Sequence, residues 1–139
     1  MISIREVDTS DPDIVETLTD LHALTFGSSA EQPWYHEGHW WVAYRDDLPV
    51  AFCGLTDGGD RTGYLKRAGV THEARGENLQ RRLIRVRERK ARLLGWTWMV
   101  SDTHHSWASA NTLSRCGYRM FWPEDLWAFD TSIYWRKRL

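Results

Sequence analysis

No run of eighteen apolar residues occurs in the chain, so nothing in it could span a bilayer as a helix. Cysteine is scarce: the two present, Cys53 and Cys116, lie far apart and have no histidine at metal-ligand spacing. That argues against a disulfide framework and against a metal site, and points to free thiols in a reducing cytoplasm. The opening residues, Met1 to Glu6, lack the basic start and apolar stretch of a secretory signal. Neither a repeat nor a linker interrupts the sequence, so residues 1–139 are expected to form a single domain, as that length allows. Net charge is almost absent too, at a formal −1.

What is present is a globular composition, 42% hydrophobic, 27% charged and 13% aromatic, which excludes a disordered or low-complexity chain. Nine tryptophans are unusual at this length, and most are expected in the core or in pocket walls. The near-zero charge conceals a split. Residues 1–60 carry twelve acids and two bases, a balance of −10, whereas residues 61–139 carry seven acids and sixteen bases, a balance of +9. The basic half calls for an anionic ligand.

Apolar and polar residues alternate over 2–7, as in a half-buried strand. Asp11-Pro12 reads as an N-cap and first helical position, with Ile14, Leu18, Leu21 and Leu24 at helical spacing as far as Gly27. A short irregular or helical piece follows at 31–37. Residues 40–45 and 50–55 are strand-like runs joined by the turn 46–49, and the turn 57–60 leads into a third strand at 63–70. A helix from Asn78 to about Leu94 buries Leu79, Leu83, Val86 and Leu93, with Gly95 as its stop. Then come a strand at 96–100, a helix from Trp107 to Arg115 stopped by Gly117, and closing strands at 118–122 and 127–135. The step from the strand at 63–70 through a helix to the strand at 96–100 requires a parallel, right-handed crossover. The expected fold is therefore mixed α/β: a mostly antiparallel sheet with one parallel strand pair, flanked by helices.

The chemistry-bearing stretch runs from Tyr64 to Leu83. A strand ends at Val70, a turn carries Arg75-Gly76, and a basic helix begins, so helix-terminal N–H groups are offered to an anion. Eight of the eighteen basic residues lie between Arg75 and Arg92. A phosphate or pyrophosphate would suit such a turn; a merely solvated basic face is the other reading of the same residues.

At this point the sequence resembles the GNAT-type N-acetyltransferase family. In that family a strand ending in Val leads through Arg/Gln-x-x-Gly-x-Gly/Ala into a helix; here the turn reads Arg75-Gly76-Glu77-Asn78-Leu79-Gln80. The second family signature, a helix closed by Gly-Phe or Gly-Tyr, has its counterpart in 109–118, ending Gly117-Tyr118. Element order agrees from Ile2 to Trp135. The resemblance implies acetyl-CoA or another acyl-CoA as co-substrate, with its pyrophosphate on backbone N–H groups of Arg75, Gly76, Glu77, Asn78, Leu79, Gln80 and Arg81. It also implies a pantetheine arm paired with Ala68, Gly69 and Val70 where the parallel strands splay, and an N–H there that polarises the thioester carbonyl. Asn78 and Gln80 stand where the family has small residues; Asn tolerates a left-handed backbone, whereas Gln80 either hydrogen-bonds the ligand or narrows the site. His72 stands where the family often has Pro.

Acyl transfer to an amine needs a proton acceptor for the amine and benefits from an acid at the leaving thiolate. The tyrosine that many relatives carry four residues before the Gly is replaced here by Leu113. By position, the replacement candidates are Tyr64 on the strand, and Asp102, His104 and His105 after the strand at 96–100. Cys116 reads as a small packed residue rather than a covalent nucleophile. Trp34, Tyr35 and Glu37 are candidates for an acceptor wall, which with the acidic first half would suit an amine-bearing acceptor, small molecule or peptide. A homodimer through the C-terminal strand is a further expectation. Two functions stand: an acyl-CoA-dependent N-acetyltransferase, or a catalytically silent binding module on the same fold. A nucleic-acid partner is disfavoured, because the apolar stripe of the basic helix must face the sheet and the acidic half would repel phosphates.

Overall fold

A computed structural model describes all of residues 1–139. The alternation at the start forms β1 (Ile2–Val7), and Asp11 caps α1 (Pro12–Phe26) by accepting the Asp13 N–H. An antiparallel meander follows, of β2 (His39–Arg45), β3 (Leu48–Asp57) and β4 (Thr62–Val70). A single helical turn at His72–Ala74 precedes α2 (Leu79–Leu93), then β5 (Trp98–Thr103), α3 (Trp107–Arg115), β6 (Arg119–Phe121) and β7 (Ile133–Arg138). All seven strands join one sheet in the order β1-β2-β3-β4-β5-β7-β6, and only β4 and β5 run parallel. No helix is long and apolar enough to cross a membrane.

Alternation sends neighbouring strand residues to opposite sheet faces, and both faces are covered. Trp40 packs with Leu18, Leu21, Val42 and Phe52 under α1, while Trp41 joins the larger core with Leu79, Leu83 and Leu113 from α2 and α3. Trp40, Trp41 and Trp135 are buried and Trp96 packs against the core. Trp34, Trp107, Trp122 and Trp127 are exposed, because they fall in irregular segments or the first turn of a helix rather than on covered sheet faces.

Three expected strands move. The strand expected at 96–100 begins at Trp98, because Trp96 belongs to the preceding helix cap. Its N–H donates to Ala91 O (2.9 Å) and that of Gly95, at φ 80°, to Arg92 O (3.1 Å), the two bonds of a Schellman stop. Instead of strands at 118–122 and 127–135, β6 spans only Arg119–Phe121, and 127–132 is a turn held by Tyr134 Oη donating to Phe129 O (2.8 Å). The basic segment Tyr134 to Arg138 lies in β7, paired to β5 on one side and β6 on the other.

What positions the site is the parting of β4 from β5. They pair only at Thr62↔Trp98, Gly63↔Met99 and Tyr64↔Val100, after which β5 continues alongside β7 alone. Gly63 permits the contact at the vertex, where a Cβ would come within 2.7 Å of Met99 Sδ. The bend comes from a bulge. Cys53 faces Ala68 and Gly54 faces Lys66, so Arg67 is an extra residue in β4, and such an insertion twists the strand away from its neighbour. Buried Arg87 of α2 braces it, donating from Nη1 to Gly54 O and Lys66 O (both 3.2 Å) and from Nε to Leu83 O (3.0 Å). Arg87→Met strands these acceptors, and urea denaturation is expected to show a loss of about 2 kcal/mol.

Candidate active site

The turn into α2 leaves a cluster of donors open. Gly76 (φ 83°) and Asn78 (φ 61°) both take left-handed backbone, so the side chain of Asn78 does not cap the helix. The N–H groups of Gly76, Glu77 and Asn78 meet no acceptor, and those of Leu79, Gln80 and Arg81 have none within the helix; the first bond is Arg82 N–H to Asn78 O, at 3.1 Å. Arg75 and Arg81 are exposed with no carboxylate within ion-pair distance, whereas Arg82 is diverted to Ile2 O (3.0 Å). Glu77 is neutralised by Arg45. Gln80 is half-buried and its amide has no partner. Unbonded amides, a helix dipole and free guanidiniums are what a pyrophosphate needs, so this turn fits the group the resemblance implies.

Further along the parted edge, Thr71 N–H donates to Val50 O (2.9 Å). Alternation then turns the N–H groups of Ala68 and Val70 away from β3, toward the gap that β5 has left. Gly69 lies between them with its α-carbon against α1, where a Cβ would meet Thr25 Oγ1 at 2.2 Å.

At the vertex stands the pair Tyr64 and Asp102. Tyr64 Oη donates to Asp102 Oδ1 at 2.7 Å, and Trp127 Nε1 donates to the same oxygen at 2.9 Å. Asp102 Oδ2 has no protein partner. Burial, reinforced by the bond to Asp102, pushes the Tyr64 hydroxyl far above the ordinary phenol range, so it is a fixed donor and not a base. Beside the pair is a cavity of about 640 Å³ on the sheet face opposite α2, walled by Tyr64, Lys66, Trp98, Val100, Trp127 and Arg136. A second hollow, at Glu6–Thr9 and His39, lies at the far edge of the sheet, remote from these groups. No group of three or more His, Cys, Asp or Glu side chains is placed to hold a metal ion.

The other candidates fall elsewhere. His104 and His105 are exposed beyond the end of β5, where His104 packs on Phe129 and lies 3.5 Å from Ser132 Oγ; neither reaches the Tyr64–Asp102 pair. Tyr35 is buried against Trp40 in the α1 core, with burial raising its pKa to about 12, while Trp34 and Glu37 are exposed and line no part of the cavity. Leu113 is core, and Cys116, its thiol pushed up by burial and by Glu88, has no base beside it. Trp127, Lys66 and Arg136 were not visible as site residues in the sequence, because a loop brings Trp127 there and strand pairing places the other two.

Behind the bulge, Arg67 is held by Phe26 (5.5 Å to the ring) and by His22 Nε2, 3.1 Å from Nη1. His22 is fully buried, and its Nδ1 is unpartnered. Burial first, and Arg67 second, hold its pKa below the usual 6.5. A lowered folded-state pKa means that the unfolded chain binds more protons just below that pH, so stability present above it is lost as pH falls. The melting temperature is expected to drop on acidification from pH 6.5, and less steeply in His22→Phe.

The sheet is thus an open, mixed one with a single parted parallel pair, followed by an uncapped turn at the head of α2. Residues 7–118 match the model of the Acetyltransferase (GNAT) family, and the chain belongs to that family. Among curated proteins no sequence matches. The fold is similar to that of an IAA acetyltransferase from Bacillus cereus (TM-score 0.77, 16% identity, 100% of both chains covered). It is also similar to a Bacillus subtilis acetyltransferase in complex with CoA (TM-score 0.78, 16% identity, 100% of this chain and 99% of that one). A Bacillus anthracis protein in complex with acetyl coenzyme A gives 0.76 at 14% identity, over 100% of this chain and 98% of that one. At such identities the likeness establishes the fold alone.

Proposed function

We propose that this chain is a cytoplasmic N-acetyltransferase that moves an acetyl group, or another acyl group, from acyl-CoA to an amine. The observation that carries this is the Tyr64–Asp102 pair at the vertex of the parted strands, with open N–H donors leading from α2 to that point. Acyl-CoA supplies the activated carbonyl. Gly76 to Arg81 hold its pyrophosphate, and Arg75 adds charge. Ala68 and Val70 present N–H groups to the arm, and one of them meets the charge that develops on the carbonyl oxygen. Asp102, with Oδ1 fixed by Tyr64 and Trp127, keeps Oδ2 for the amine and accepts its proton as the C–N bond forms and the C–S bond breaks. Tyr64 stays protonated and orients that carboxylate. Leu113 offers no proton to the thiolate, which leaves unaided.

Leu113 in the core also favours a second reading, a silent module that binds acyl-CoA without turnover. Incubation with acetyl-CoA and a panel of amines separates the two: thiol release is expected for the transferase, thermal stabilisation alone for the module.

A further inference from the structure

The cavity beside Asp102 carries charges that an amine alone does not explain. On its floor, Tyr64, Val100 and Arg136 form one rung across β4, β5 and β7, since Tyr64 pairs with Val100 and Val100 with Arg136. Asp102 pairs with Tyr134, which makes Arg136 its diagonal neighbour on the same face, about 7–8 Å away and within reach of a long side chain. Lys66 is the next residue of β4 on the cavity side after Tyr64, its Nζ 5.8 Å from that ring. Two cations, Lys66 and Arg136, thus line the cavity on the sheet face that carries Tyr64 and Asp102.

Neither cation is neutralised. The protein's four ion pairs involve His39, Arg45, Lys90 and Lys137, and none involves Lys66 or Arg136. The carboxylates that line the cavity itself, Asp57 and Asp60, belong to the turn at its end, where Asp57 Oδ1 is engaged by Gly59 N–H at 2.8 Å. Arg136 is held between the rings of Phe121 (4.7 Å) and Trp98 (5.4 Å), so its planar fork is oriented while its donors stay free. A fork of this kind matches a carboxylate in two parallel hydrogen bonds.

Resting on the transferase reading, we propose that the acceptor is an amine that also bears a carboxylate, an α-amino acid being the simplest member. Its amino group lies at Asp102 Oδ2 and its carboxylate is taken by Arg136 and Lys66. The aromatic walls Trp98 and Trp127 receive an apolar remainder. Of the acidic first half only Asp57 and Asp60, in the turn at the cavity's end, border the acceptor's space; Glu37 does not line it.

The test sets each of the common α-amino acids against its own amide. Two readouts are taken, kcat/KM for acetylation and stabilisation of the acetyl-CoA-loaded protein on heating. The expected result is a preference for the acid of tenfold or more, falling toward one in Arg136→Gln and Lys66→Gln. Acids and amides acetylated equally well would overturn the inference and leave the transferase standing. A preference that survives in both variants would overturn the assignment to these cations. Acetyl-CoA binding with no amine acetylated and no acid-specific stabilisation would overturn the inference and the transferase reading together.

Discussion

Asp102→Asn is expected to lower kcat by about a hundredfold to ten-thousandfold, the range a positioned proton acceptor contributes. The substitution is nearly isosteric. An amide oxygen at Oδ1 can still accept from Tyr64 (2.7 Å) and Trp127 (2.9 Å), so the local frame is kept while the negative charge is removed. Acetyl-CoA binding, governed by the α2 turn and by Ala68 to Val70, should shift by less than about twofold, since Asp102 makes no hydrogen bond to either. Tyr64→Phe should act more weakly, because Trp127 still holds the carboxylate; a loss of about tenfold matches one hydrogen bond to a charged group. Steady-state kinetics with a single amine checks both. Equal losses in kcat for Asn and for Phe would mean that orientation, not charge, is what position 102 supplies.

The double variant Arg75→Glu/Arg81→Glu should raise the acetyl-CoA dissociation constant tenfold to a hundredfold, as loss of charge-assisted contacts worth about 1.5–3 kcal/mol implies. Binding should not vanish, because the N–H groups of Gly76 to Arg81 are backbone and survive the change. Both arginines are exposed, so the wild-type affinity should weaken with salt and the variant's much less, screening being substantial over about 10 Å at 0.1 M. Arg92→Glu reverses charge at the other end of α2 and serves as the control; its effect should stay under about threefold. Isothermal titration at two ionic strengths reads all three proteins.

The order of elements was legible in the sequence because its signals are local. Pro12 after Asp11 starts α1, Gly95 and Gly117 end α2 and α3 at positive φ, and the turn signals within 46–49 and 57–60 set the meander, with Leu48, Pro49 and Asp57 themselves in β3. The parallel crossover followed from strand–helix–strand spacing, and a turn with open N–H groups from Arg75-Gly76 before a helix. Asn78 adopts the left-handed backbone its position demanded. Less legible were features set by register. The bulge at Arg67 leaves no mark in composition, yet it parts β4 from β5. Trp127 lies in a turn twenty-five residues from Asp102, and only the docking of β7 between β5 and β6 brings it there. Tyr64 and Asp102 were each visible as candidates, but their contact depends on which strands pair in parallel. His104 and His105 looked equally eligible by sequence position; the end of β5 at Thr103 places them past the site.

The central claim, that these groups together transfer an acyl group from CoA to an amine, is tested most directly by one measurement. Purified protein is incubated with acetyl-CoA and graded concentrations of amines, and released thiol and N-acetylated product are quantified together. The expected result is thiol release that rises with amine concentration, matched mole for mole by N-acetyl product and lost in Asp102→Asn. Thiol release without product, or no release from any amine while acetyl-CoA still stabilises the fold, would contradict it.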